Sequence, residues 1–107
     1  IYGAGYMGVG YGLTEEIKLR NGRVMNAGLR DYKMLTAMDV VPVTPIVIEL
    51  GDADGPFGAK GIGEPGLVPT APAIANAIYD AVGVRITDLP ITPEKVLAAL
   101  KDRGDVC

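Results

Sequence analysis

Residues 58–66 read GAKGIGEPG, and they hold the side chain best suited to chemistry, Glu64, between Gly63 and Pro65. A carboxylate fixed in a loop can serve as a general base. Pro65 restricts Glu64 to extended conformations, while Gly61 and Gly63 lack side chains that would keep a bulky group away. Runs of glycine also expose successive backbone amides that can hold an anion. From the residues alone, Glu64 is either such a base or a solvated charge in a turn. The stretch is not a phosphate loop of the form G-x-x-x-x-G-K-[ST], because Lys60 stands between Ala59 and Gly61 with no Ser or Thr after it. A cofactor carrying an anionic group stays compatible with it.

Few other side chains compete. The chain has no histidine, and its single cysteine is Cys107. Within this chain that excludes a Cys/His zinc site, an iron–sulfur ligand set and a Ser–His–Asp triad. No residue is assigned as a metal ligand. Acid–base work must rest on Asp, Glu, Lys or Tyr, or on a bound cofactor. The segment GDADG, 51–55, lacks the full calcium-loop pattern, so Asp52 and Asp54 are expected to form turns.

Near the start, GAGYMG (3–8) fits G-x-G-x-x-G. That fingerprint has meaning only where a buried strand runs into a helix, and only Ile1 and Tyr2 precede it. The further glycines at 10 and 12 suit close helix packing better. A dinucleotide-binding module using Gly3–Gly8 is one alternative function, and a non-catalytic assembly domain is another.

The elements that must position this loop follow from pattern. Gly5, Gly8 and Gly12 fall on one helical face over residues 1–17. Each interior glycine costs about 1 kcal/mol against alanine, so such a helix requires something packed closely on its glycine face. Asn21-Gly22 favours a type I′ turn, with strands near 17–20 and 23–26. Lys18, Arg20 and Arg23 beside it are expected in solvent. A short helix is expected at 36–39, and the β-branched run PIVIEL, 45–50, reads as a further strand. A long glycine-rich loop runs from 51 to 66.

Then TAPAIANAIYDAVG places Ile74, Ile78, Ala81 and Val82 on one helical stripe, stopped by Gly83. Thr92 as N-cap with Pro93 at the first position opens a helix to about 101, with Val96, Leu97 and Leu100 inward. The fold class is α+β: a glycine-rich helix, a hairpin, a further strand, the long loop and two C-terminal helices. Tyr2, Tyr6 and Tyr11 are expected to pack, and Met7, Met25, Met34 and Met38 to fill core.

The chain of 107 residues is 49% hydrophobic, with a mean hydropathy of +0.26. So apolar a short chain suggests a partner surface, and a piece or subunit of something larger. The formal charge of −3, with ten scattered basic residues, argues against nucleic-acid binding. No apolar run approaches a bilayer span.

GAKGIGEPG followed by APAIANAIYDA and LPITPEKV resembles the C-terminal end of the molybdenum hydroxylases, a family that includes xanthine dehydrogenase and the aldehyde oxidoreductases. The upstream order agrees: a glycine-studded helix ending LTEEI, an NGR hairpin, then LRDYKMLTAMDVVP. The resemblance spans nearly the whole chain. It implies that residues 1–107 are the C-terminal portion of the molybdenum-cofactor-binding domain of the large subunit.

It further implies that Glu64 is the active-site base, taking a proton from a molybdenum-bound hydroxyl or water whose oxygen adds to an aldehyde or N-heteroaromatic carbon. The backbone of Lys60, Gly61, Ile62 and Gly63 would lie against the molybdenum-pterin cofactor. Iron–sulfur clusters and FAD are expected on partner segments or subunits, and the remainder of the large subunit is the nearest partner. The hard chemistry is then the cofactor's, and the protein adds one placed base. Many members carry a glutamine reaching the pterin where Met7 stands here, and methionine cannot make that amide hydrogen bond. The expected compartment is the cytoplasm.

Overall fold

A computed structural model describes residues 1–105 of the chain. Helix α1 spans Tyr2–Leu13 and contains no charged residue on any side. A helix apolar all round belongs in an interior, and one side of α1 has its cover within this chain. Ala4, Gly8, Gly10 and Gly12 are buried, whereas Tyr2 and Met7 are about half exposed. Helix α2, Thr70–Val82, packs along α1, the one helix pair in close contact among the described residues. The contact runs along Ala4, Gly8 and Gly12, spaced four apart, so that each meets the neighbour one helical turn further on. An added Cβ on Gly12 would stand 3.4 Å from Ile74 Cδ1 and 3.5 Å from Ala71 Cβ.

The expected close packing on a glycine face is present, but its register differs. A Cβ on Gly5 would meet nothing within 4 Å. The covered line is Ala4–Gly8–Gly12, not Gly5–Gly8–Gly12: Gly8 and Gly12 meet α2, and Ala4 meets Gly66 in the turn before it. On α2 the inward side is Ala71, Ile74, Ala75, Ile78 and Val82, while Ala81 is exposed. Gly83 ends this helix in the left-handed conformation, at φ 69°, as anticipated.

Strands β1 (Leu19–Arg20) and β2 (Arg23–Val24) pair antiparallel, Leu19 with Val24 and Arg20 with Arg23. Asn21 and Gly22 supply φ of 50° and 76°, the conformation a type I′ turn needs. Buried Asn26 anchors the hairpin base: its side chain accepts from the Lys18 N–H at 2.8 Å and donates to the Glu16 carbonyl at 2.6 Å. Lys18, Arg20 and Arg23 are exposed. A 3-10 turn at Ala37–Asp39 occupies the place of the expected short helix. Helix α3, Pro93–Arg103, begins at Thr92, whose hydroxyl accepts from the Lys95 N–H. Val96 and Leu100 are half-buried, but Leu97 is exposed. Two bonds tie the ends together: Ile91 N–H to the Gly12 carbonyl, and an Arg103 guanidinium N–H to the Val82 carbonyl, both 2.7 Å.

The α+β class holds, with one element missing. Residues 45–50 form no strand, and Ile46, Val47, Ile48 and Leu50 are exposed. A strand is defined by the partner that accepts its ladder bonds, and none lies beside this run among the described residues. The methionines also depart from expectation: Met7, Met25, Met34 and Met38 are all at least half exposed. The physical cause is shared. The fully covered apolar residues are small or few, Ala4, Ala71, Val84 and Ile91 among them, and the Cα radius of gyration is 17.6 Å. A compact domain of this length would have about 13 Å. Elongated to 57 × 36 × 28 Å, the chain closes a helix seam but no core large enough for its own apolar side chains.

Candidate functional site

The loop divides into two parts of different character. Residues 51–59 close on themselves: Asp52 N–H donates to the Gly58 carbonyl at 3.2 Å, and Gly58 N–H to the Gly55 carbonyl at 3.0 Å. Asp52 Oδ1 accepts from the Asp54 N–H at 3.0 Å, so both aspartates form the turn expected of them. Phe57 is held at φ 54°, a left-handed conformation unusual for a bulky residue, with its ring wholly in solvent.

Beyond Ala59 the pattern stops. The N–H groups of Lys60, Gly61, Ile62, Gly63 and Glu64 find no acceptor among the described residues. A Cβ on Gly61 or Gly63 would meet nothing within 4 Å, and neither residue has the positive φ that would demand glycine. Five successive free amides and two unhindered glycines form a strip that a group with acceptor atoms can approach closely. The Lys60 side chain turns back to Asp52, its Nζ 3.6 Å from Oδ2, so that residue offers the strip its backbone.

An open cleft of about 650 Å³ lies between residues 46–51 and 57–62. Lys60, Gly61 and Ile62 border it, facing the apolar run from Ile46 to Leu50; Gly63 and Glu64 do not. Glu64 instead heads the turn that leads into α2, exposed, with its carbonyl accepting from the Leu67 N–H at 2.9 Å. The five residues singled out in the sequence are thus contiguous, with Glu64 at the free strip's far end.

Electrostatic perturbation falls elsewhere. The Tyr32 hydroxyl donates to Glu15 Oε2 at 2.7 Å, and this bond raises the phenol's pKa. Asp39 is held below the ordinary carboxylate value, first by the Thr36 N–H and then by its hydroxyl. Glu94 is lowered by its own backbone N–H and then by the Thr92 hydroxyl. Among the described residues no three His, Cys, Asp or Glu side chains gather as a metal site, and Cys107 lies outside them.

The G-x-G-x-x-G at 3–8 falls wholly inside α1. Gly5 N–H is already bonded to the Ile1 carbonyl at 3.0 Å. This is not the strand-to-helix turn that a dinucleotide's pyrophosphate requires.

Two residues that position the site escaped the sequence reading. Thr70, at the start of α2, donates its hydroxyl to the Gly66 carbonyl at 3.1 Å and sits against Gly8. Ala4 lies beneath Gly66, 3.2 Å from where its Cβ would be. The available signal was the four-residue spacing of small residues at 4, 8 and 12.

Comparison with known proteins supplies the family. Residues 1–41 match the molybdopterin cofactor-binding domain. Over 98 residues, 90% of the chain, it is 39% identical to a xanthine dehydrogenase molybdenum-binding subunit of Escherichia coli O157:H7. Over 107 aligned positions, 95% of the chain, it is 40% identical to an aldehyde oxidoreductase molybdenum-binding subunit of Escherichia coli K12. The chain belongs to the molybdenum hydroxylase family.

The fold agrees: quinoline 2-oxidoreductase from Pseudomonas putida 86 superposes with a TM-score of 0.84 over 95% of this chain, at 27% identity. The chain spans only 13% and 14% of the lengths of those two relatives, and 14% of the quinoline enzyme's chain.

Proposed function

We propose that this segment forms one wall of the molybdenum-cofactor site in an oxidoreductase of the xanthine dehydrogenase and aldehyde oxidoreductase type. That enzyme hydroxylates an aldehyde or N-heteroaromatic carbon with water-derived oxygen. It works as an assembly with the rest of the large subunit and with iron–sulfur and flavin units. The observation that carries the reading is the strip at residues 60–64, with its unpartnered amides and open glycines leading directly to a carboxylate.

The donor set suits the cofactor. A pterin with its phosphate and ring heteroatoms presents acceptors, and Lys60, Gly61, Ile62 and Gly63 present N–H donors with no side chain at two of the four positions. When bound, the cofactor supplies the two-electron redox chemistry. Glu64 would take up, at a carboxylate oxygen, the proton of the water-derived hydroxyl, leaving the hydroxyl oxygen the better nucleophile toward the substrate carbon. Its backbone carbonyl is tied to Leu67, so its place is set by the turn that follows.

The decisive experiment is Glu64→Gln in the assembled enzyme. The amide keeps the shape and loses the base, so turnover should fall by about 10²- to 10⁴-fold with molybdenum content and melting temperature unchanged. A fully metallated variant turning over at the wild-type rate would remove Glu64 from the chemistry.

A further inference from the structure

Among the described residues nothing holds Glu64 on the upstream side, where five amides lack partners. Its downstream side is different. The Glu64 carbonyl accepts from Leu67 N–H at 2.9 Å, and the Leu67 carbonyl accepts from Thr70 N–H at 3.2 Å. The Thr70 hydroxyl then reaches back to the Gly66 carbonyl at 3.1 Å. Two hydrogen bonds thus connect Thr70 to the turn that begins at Glu64, which is closed by a third. Thr70 is itself immobilised: a Cβ on Gly8 would overlap its Cβ and stand 2.6 Å from Oγ1 and 2.9 Å from Cγ2, so the threonine fills the space that glycine leaves on α1. Gly66 rests on Ala4, one turn earlier on that helix.

We propose that Thr70 is the positioning residue for Glu64, transmitting the fixed geometry of the α1–α2 seam through its hydroxyl to the Gly66 carbonyl. This inference rests on the reading of Glu64 as the base. Its hydroxyl is not used as a helix cap. The N-cap of α2 is Pro69, in a helical conformation and without a side-chain bond. The Gly66 carbonyl lies outside any helix, so the bond stitches the turn to the helix rather than repeating a helical one. A displacement of about 1 Å in a reacting group can cost on the order of 100-fold in rate, and the open upstream strip offers no second restraint.

The test uses the assembled enzyme with Thr70→Val and Thr70→Ser, beside Glu64→Gln. Valine keeps the shape seated on Gly8 and removes the hydroxyl. It should lower kcat by about 10-fold or more, with KM and molybdenum content within about twofold, while serine, which keeps the hydroxyl, restores kcat to within about threefold. A merely structural role would lower the melting temperature and metal content and leave the kcat of the metallated fraction intact. If Thr70→Val does not yield metallated enzyme, Thr70→Ala removes the same hydroxyl without crowding Gly8 and should show the same fall in kcat. Wild-type kcat in metallated Thr70→Val or Thr70→Ala, with Glu64→Gln inactive, overturns the positioning role alone. Wild-type kcat in Glu64→Gln overturns the base reading and with it the role assigned to Thr70.

Discussion

Gly8 and Gly12 on α1 lie against α2, whereas an added Cβ on Gly61 or Gly63 in the loop would meet nothing within 4 Å among the described residues. In the sequence the two pairs look alike, small residues in a glycine-rich stretch. Their physical reasons differ. The α1 glycines exist because a second helix needs the space, and their removal should register as lost stability. The loop glycines are required neither by their backbone conformation nor by any contact within the chain. On the function proposed above they let the cofactor approach, and their removal should register in cofactor binding and turnover. One region is explained by its own contacts, and the other only through that proposal.

The strongest way to break this comparison is Gly63→Val in the assembled enzyme. A Cβ placed there beside Glu64 meets no described atom within 4 Å, so a local clash gives little reason for the fold to suffer. A cofactor approaching the free amides would be held off. Turnover should fall by about 100-fold, with molybdenum content reduced and melting temperature close to wild type. Unaltered turnover and metal content would make the loop glycines incidental, and the contrast with α1 would collapse.

The next pair acts on the seam and should differ in sign. Gly8→Ala places a methyl group on the Thr70 Cβ, an atom too near the backbone to swing away. Overpacking of that kind costs about 1–3 kcal/mol, more than the roughly 1 kcal/mol that alanine returns in helix propensity. Gly12→Ala meets Ile74 and Ala71 at 3.4 and 3.5 Å, ordinary contact, so it should keep most of that gain. Chemical denaturation of the assembled subunit is expected to show Gly8→Ala destabilised and Gly12→Ala unchanged or stabilised. Equal effects would mean that the seam does not discriminate between its glycines.

What the sequence disclosed follows the same division. Local signals were sufficient where structure is local. Asn21-Gly22 specified its turn, Thr92-Pro93 opened α3 and Gly83 closed α2. The β-branched run 45–50 reads as a strand, but strand formation depends on a neighbour's backbone, which none of the described residues supplies. The inward face of α1 was assigned to Gly5, Gly8 and Gly12 because all three are glycine. Ala4 is covered instead of Gly5, because Gly66 in the turn before α2 rests on it, a contact invisible in one helix.

Glu64 was conspicuous between Gly63 and Pro65, yet the residues alone left it a turn charge or a base. The resemblance to a family, and not periodicity, raised it above the other carboxylates. Thr70 could not be singled out before its neighbour Gly8 was known.

The smallest expected effect concerns residues 36–39, a segment belonging to neither region. Thr36 and Asp39 cap one another: Asp39 Oδ2 accepts from the Thr36 N–H at 2.8 Å and from its hydroxyl at 2.7 Å. These bonds favour the charged carboxylate and lower its pKa below the ordinary 3.8. A group lowered by folding adds stability above its unfolded pKa, and this is lost as pH falls through the lower folded value. Wild type should therefore melt slightly above Asp39→Asn at neutral pH, with the gap narrowing only once the pH drops below the ordinary carboxylate value. The residue is exposed, so solvent screening keeps the difference small. Because this cap is complete within the chain, Asp39→Asn should leave kcat and molybdenum content untouched. A variant that melts normally but turns over slowly would move this segment out of the self-explained class, to join the loop that faces outward.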